Sequence, residues 1–111
     1  MNGEIIYIPF LVFYDDKIVF AYEKYKESGW SITNILKSAF TSADLEEAKK
    51  AFSKCLRVLC PRDLWDYSGI IKTTRESINN YIPKYSIHDD QCEYLHYSDT
   101  VKDFEVIKVQ S

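Results

Sequence analysis

The clearest pattern of apolar and polar positions lies at 42–59, where Leu45, Ala48, Phe52, Cys55, Leu56 and Leu59 recur at helical spacing and Glu46, Glu47, Lys49, Lys50 and Lys54 hold the other side. This stripe predicts an amphipathic helix. Thr41 stands where an N-cap would, Asp44 three residues on completes a capping box, and Phe40 and Leu45 are placed as a hydrophobic staple. Glu46 and Lys50 add an i,i+4 pair worth about 0.2–0.5 kcal/mol. Pro61 disfavours the helical conformation at Cys60 and ends the run.

Weaker stripes flank it. Ser31 is placed to cap a short helix through Ile32, Ile35, Leu36, Ala39 and Phe40, and the Thr41 turn then makes a tight helical corner. Ile18, Ala21, Tyr22 and Tyr25 form another stripe that Gly29 would stop. Leu11 and Tyr14 extend that stripe toward Pro9, so its start is open, and Ile5 to Phe13 reads equally as a buried strand. Pro61 suits the first turn of a helix through Leu64, Trp65 and Tyr67 closed by Gly69. Thr73-Thr74-Arg75-Glu76 is a second capping box, opening a helix through Ile78, Tyr81 and Ile82 that Pro83 terminates. In the tail, Phe104, Val106, Ile107 and Val109 suit a strand, whereas Val101, Phe104 and Ile107 suit a helix after Ser98. The expected architecture is mainly α: a single small helical domain of about five helices over residues 1–111, with a short β pairing between the N- and C-terminal segments if both are strands.

Composition narrows the class without naming a function. At 111 residues and 46% hydrophobic, the chain can bury one core, and 3 Gly and 3 Pro beside 9 Tyr, 6 Phe and 2 Trp exclude a low-complexity linker. Fourteen basic and 17 acidic residues give a formal charge of −3, which disfavours broad phosphate-backbone binding. The acidity gathers between Ser86 and Val106, in Asp89, Asp90, Glu93, Asp99, Asp103 and Glu105. Cys55, Cys60 and Cys92 are odd in number and lack a framework spacing, which predicts a reducing, intracellular setting, nucleus or cytoplasm. Ile5 to Tyr14 is too short to span a bilayer and carries no leader pattern, so no membrane role is expected.

Candidate chemistry is thin. His88-x3-Cys92-x3-His96 would stack imidazole and thiolate on one helix face, as zinc prefers, with Cys60 or Cys55 as a fourth ligand. Cys55-x4-Cys60 is not a usual knuckle, however, and Cys55 belongs to the apolar stripe, so scattered thiols are the better reading and no metal or cofactor is expected. Cys92 with His88 or His96 as base is a remoter nucleophile. No Gly-rich loop is present to cradle phosphate. Asp15-Asp16 and Asp89-Asp90 read as solvated turns. The corner Ser31 to Leu59 invites a helix-turn-helix reading through Lys49, Lys50, Lys54 and Arg57, but Asp44, Glu46 and Glu47 would meet phosphates first.

Ile32 to Leu56, in which Ile-x2-Ile-Leu-x3-Phe-Thr-x2-Asp-Leu-x2-Ala-Lys-x2-Phe is read, resembles a short helical module of animal orphan and transposon-associated proteins. The resemblance covers about a quarter of the chain. It implies an all-helical, non-catalytic module of a larger, nuclear protein, and carries over no functional residues, because the matching positions are caps and core.

Aromatic excess decides the functional expectation. Nine Tyr are more than so small a core needs, and Tyr is enriched at interfaces. Tyr7, Tyr14, Tyr94 and Tyr97 are the least secured by any stripe and are the expected partner-binding residues. The chain is therefore expected to be a non-catalytic protein–protein interaction domain, a scaffold or adaptor or a self-associating unit, with a preference for a basic partner surface. The alternative is a nucleic-acid-binding helical domain of helix-turn-helix type.

Overall fold

The computed structural model describes residues 4–25, 29–80 and 92–106. Ile5–Phe13 forms strand β1 and Ile18–Tyr25 forms β2, joined by a turn in which Asp16 takes a positive φ of 70°. Gly29–Thr33 is β3, and one 3-10 turn, Leu36–Ser38, follows. A continuous helix comes next, made of α1 (Leu45–Ala51), a π-helical turn (Phe52–Leu56) and α2 (Arg57–Leu59). A 3-10 turn, Arg62–Leu64, leads into β4 (Trp65–Thr74), then α3 (Arg75–Asn80), β5 (Glu93–Ser98) and β6 (Asp103–Val106). The six strands make one sheet in the order β3-β2-β1-β4-β5-β6, antiparallel throughout.

The architecture is thus mainly β, and the expectation of a mainly α domain of five helices is wrong. Its cause lies at the centre of the sheet. Ile6, Ile8, Phe10 and Val12 of β1 look toward one face with Phe20, Ile71 and Tyr94, where Leu36, Ala39 and Ile78 pack on them. Leu11, Val19, Ala21 and Trp65 look toward the other, under Phe52, Cys55 and Leu56 of the helix, and Ile70 and Leu95 meet Ala48 there. A strand covered on both faces has no polar side, so it reads as a nearly continuous apolar run rather than an alternation.

In β2 that run, Ile18-Val19-Phe20-Ala21-Tyr22, contains a helical subset by accident. The stripe Ile18, Ala21, Tyr22, Tyr25 passes over Val19 and Phe20, both of which are buried. The helix expected from Ser31 to Phe40 is instead β3 and a single 3-10 turn, so neither the helical corner nor the all-helical module implied by the resemblance forms. The helix expected from Pro61 to Gly69 shrinks to Arg62–Leu64, because Trp65 onward pairs with β1 from Phe13↔Trp65 to Ile5↔Thr74. β6 is the strand alternative of the tail, but it pairs with β5, while β1 lies between β2 and β4, so among the described residues the two terminal segments do not pair with each other; Ile107 and Val109 lie outside the described residues.

Two expected helices stand. Ala48, Phe52, Cys55 and Leu56 are buried as their stripe requires, and Leu59 is exposed. The cap differs: Asp44 Oδ1 accepts the Glu46 N–H at 2.9 Å, and Ser42 Oγ accepts the Asp44 N–H at 3.0 Å. Thr41 Oγ1 instead accepts a long contact from Arg75 Nη2 at 3.5 Å. In the second, Thr74 Oγ1 accepts the Ser77 N–H at 3.1 Å and caps α3, one residue later than expected. Tyr81, Ile82 and Pro83 lie outside the described residues.

Candidate protein-docking edge at β3

β1 and β2 pair only through Phe10↔Phe20, Leu11↔Val19 and Val12↔Ile18. Beyond Phe20 the two strands part, and residues 40–42 lie between them. The Phe40 N–H donates to the Ala21 carbonyl at 2.8 Å, and Tyr7 and Ser42 exchange backbone bonds of 2.8 and 3.1 Å.

This wedge determines which way β2 and β3 present their backbone groups. Because the Ala21 carbonyl turns toward Phe40, its neighbour Tyr22 turns toward β3, and Tyr22↔Ser31 is the pair that exchanges ladder bonds. The Cys55 thiol donates to the same Ser31 carbonyl at 3.1 Å, closing the helix over this pair. Trp30 and Ile32 therefore aim their N–H and C=O groups away from β2, into the open edge, where no partner takes them among the described residues.

The two edges of the sheet differ in chemistry. β6 reads Asp103-Phe104-Glu105-Val106, and Lys49 lies 3.6 Å from Asp103 and over the Phe104 ring, so charge guards that edge. β3 reads Gly29-Trp30-Ser31-Ile32-Thr33, with no charge and no proline. Trp30 packs edge-on against Phe40 at 5.3 Å between ring centroids. Beside that pair is an open groove of about 420 Å³, also walled by Glu23, Glu47, Lys50, Ala51 and Lys54. Two carboxylates and two ammonium groups around an aromatic floor suit an apolar side chain with charged neighbours.

The four tyrosines singled out by sequence do not form one patch. Tyr94 is 3% exposed and meets Phe10 at 5.6 Å on one face of the sheet. Tyr97, three residues on, lies on the opposite face, between Phe52 and Phe104 at 5.3 and 5.2 Å, with the Arg57 guanidinium over its ring at 4.5 Å. Asp99 holds that arginine at 3.5 Å and Arg62 at 3.2 Å, and Arg62 in turn covers Trp65. Tyr7 is half-buried against the Ala48, Ile70 and Leu95 cluster. Tyr14 alone of the four is well exposed, at 59%, on the β1–β2 turn.

The remaining candidates separate as well. Asp15 accepts the Lys17 N–H, which makes Asp15-Asp16 a turn. Cys92 packs with Phe10 and Tyr94, whereas Cys55 within the helix and Cys60 at its end lie on the other face. His96 is half-buried beside Tyr67 at 5.6 Å; burial lowers its pKa and Glu105 opposes that. His88, Asp89 and Asp90 lie outside the described residues, among which no three His, Cys, Asp or Glu side chains gather. No helix among them is long and apolar enough to cross a membrane.

Trp30 and Ile32 are hidden in the sequence because Ser31 suits a helix cap as well as a mid-strand position. The signal was present: five uncharged residues, with Trp, Ile and Thr among them, set off by Gly29. Comparison with known proteins adds no relative, since no family model, no curated protein and no solved structure matches the chain.

Proposed function

We propose that the chain is a non-catalytic protein-interaction domain that receives an extended segment of a partner along β3. One observation carries this reading: an uncharged sheet edge, with the Trp30 and Ile32 backbone groups directed outward, lies beside the groove walled by Trp30 and Phe40. Strand addition of this kind takes its affinity from main-chain bonds and its selectivity from a pocket for alternate side chains. Here the edge would supply the first and the groove the second.

The test is selection of extended peptides from a displayed library on the purified chain, followed by calorimetry. Peptides with an apolar or aromatic anchor should emerge, and Trp30→Ala should weaken them at least about tenfold, as expected when an aromatic anchor site is truncated. Lys37→Ala, away from the groove, should leave them unchanged. Recovery of no peptide, or equal binding to the Trp30 variant, would remove the reading.

A further inference from the structure

We infer that the strand seated on β3 is β3 of a second copy of this chain, paired antiparallel about a two-fold axis through Ser31; the inference rests on the reading of β3 as a docking edge. An antiparallel self-pair is isologous, so each backbone group must find its counterpart in the same five residues.

One register satisfies every outward group of Trp30 and Ile32. With Ser31 opposite Ser31, Trp30 stands opposite Ile32 in both halves. Trp30 and Ile32 are the residues whose N–H and C=O groups face outward, so each Trp30–Ile32 pair exchanges two bonds, and Ser31 on the axis becomes the non-bonded, close pair. Trp30 and Ile32 also share one face of the strand, the face under the helix, so the second copy's Ile32 comes beside Trp30 and covers an isoleucine that is 36% exposed in the single chain.

Charge separates this edge from the other one. The chain carries −3 overall, and pairing β6 with itself would bring Asp103 and Glu105 of two copies together. β3 brings no charge into register. The pairing is short, which places the association at the weak end of protein interfaces.

The experiment uses the full chain in sedimentation velocity from about 10 µM to about 1 mM, the range in which a weak dimer populates. The average mass should rise toward twice the monomer. Ile32→Pro removes an outward N–H that β2 does not use, and Ile32→Lys sets two ammonium groups near the axis; both should remain monomeric across the range. Independently of their folding, Ser31→Cys should form a disulfide between copies under mild oxidation, because close-pair Cα atoms lie about 4.5 Å apart, within disulfide reach. Thr33→Cys, on the same face but away from the axis, should not cross-link.

A monomer at every concentration with no Ser31→Cys cross-link overturns the inference; if library peptides still bind β3, the docking reading survives that failure, and if they do not, both fall. A dimer that persists in both Ile32 variants and cross-links as well through Thr33→Cys places the second copy elsewhere and also overturns it.

Discussion

The Phe40 N–H donates to the Ala21 carbonyl at 2.8 Å in the place that Pro9 leaves open. Backbone groups alternate along a strand, and Tyr7 exchanges bonds with Ser42, so Pro9, two residues on, faces the same side. Continuing the register beyond Leu11↔Val19 would set Pro9 opposite Ala21, to which a proline has no N–H to offer. The ladder therefore parts, residues 40–42 fill the gap, and Asp44 caps the helix immediately after them. A missing donor in the central strand thus locates the start of the helix that covers the sheet.

Pro9→Ala restores an N–H directed at a carbonyl already engaged by Phe40. A buried donor left without an acceptor costs about 1–3 kcal/mol, and the variant should be less stable by that amount in urea. The Phe40 amide should also exchange faster with solvent, because a competitor for Ala21 now exists. Unchanged stability and unchanged exchange would mean that the strands part for some reason other than the proline.

Asp44, not Thr41, satisfies the helix start. Asp44→Ala should lower stability by about 0.5–2 kcal/mol in chemical denaturation, the usual cost of a lost N-cap. Thr41→Ala gives up only a 3.5 Å contact with Arg75 and should stay within about 0.5 kcal/mol of the parent, as surface substitutions do. The reverse order would return the cap to Thr41.

The helix at 45–59 was legible because one of its faces is wet: Glu46, Lys50 and Lys54 alternate with Ala48, Phe52 and Cys55 at a period only a helix explains. β2 and β4 were not, for the opposite reason. Where both faces of a sheet are covered, Val19 and Phe20 are equally apolar, and period 2 disappears. The candidate site was hidden by the same ambiguity at shorter range, since Ser31 caps a helix or lies mid-strand with equal local plausibility. Only pairing with Tyr22, a long-range fact, decides between them. Gly69 misled in a different way, by being a glycine required for close approach rather than for a stop.

Two glycines should consequently respond differently to alanine. A Cβ on Gly69 would collide with the Leu95 carbonyl oxygen, backbone that belongs to the neighbouring strand and cannot rotate aside. Gly69→Ala should cost at least about 3 kcal/mol or prevent folding, the upper range for overpacking. Gly29 has a φ of 87° and open space around its Cα, so Gly29→Ala carries only the conformational penalty of about 1–2 kcal/mol. Thermal melts of both variants decide it, and equal losses would show that β4 and β5 can separate at Gly69 without penalty.

The last prediction concerns alkaline pH. Cys55 is fully buried, and its thiol donates to the Ser31 carbonyl. Burial pushes its pKa from 9.0 to about 11; the Tyr22 backbone opposes this and nearby Cys60 adds to it. The folded state therefore holds the proton more tightly than the unfolded chain. That contribution is fully present below pH 9 and is lost as the pH rises toward 11, with a slope of up to about 1.4 kcal/mol per pH unit from one thiol. Burial also raises the pKa of Cys60, which acts in the same direction. Urea denaturation at stepped pH should show stability falling between 9 and 11, and Cys55→Ala should flatten part of that fall while losing about 1 kcal/mol at pH 7 with its hydrogen bond. Tyrosine ionisation is common to both proteins and cancels in the difference. Parallel curves for parent and variant would show that the thiol is reached by water, and that the contact between helix and β3 opens on the timescale of the measurement.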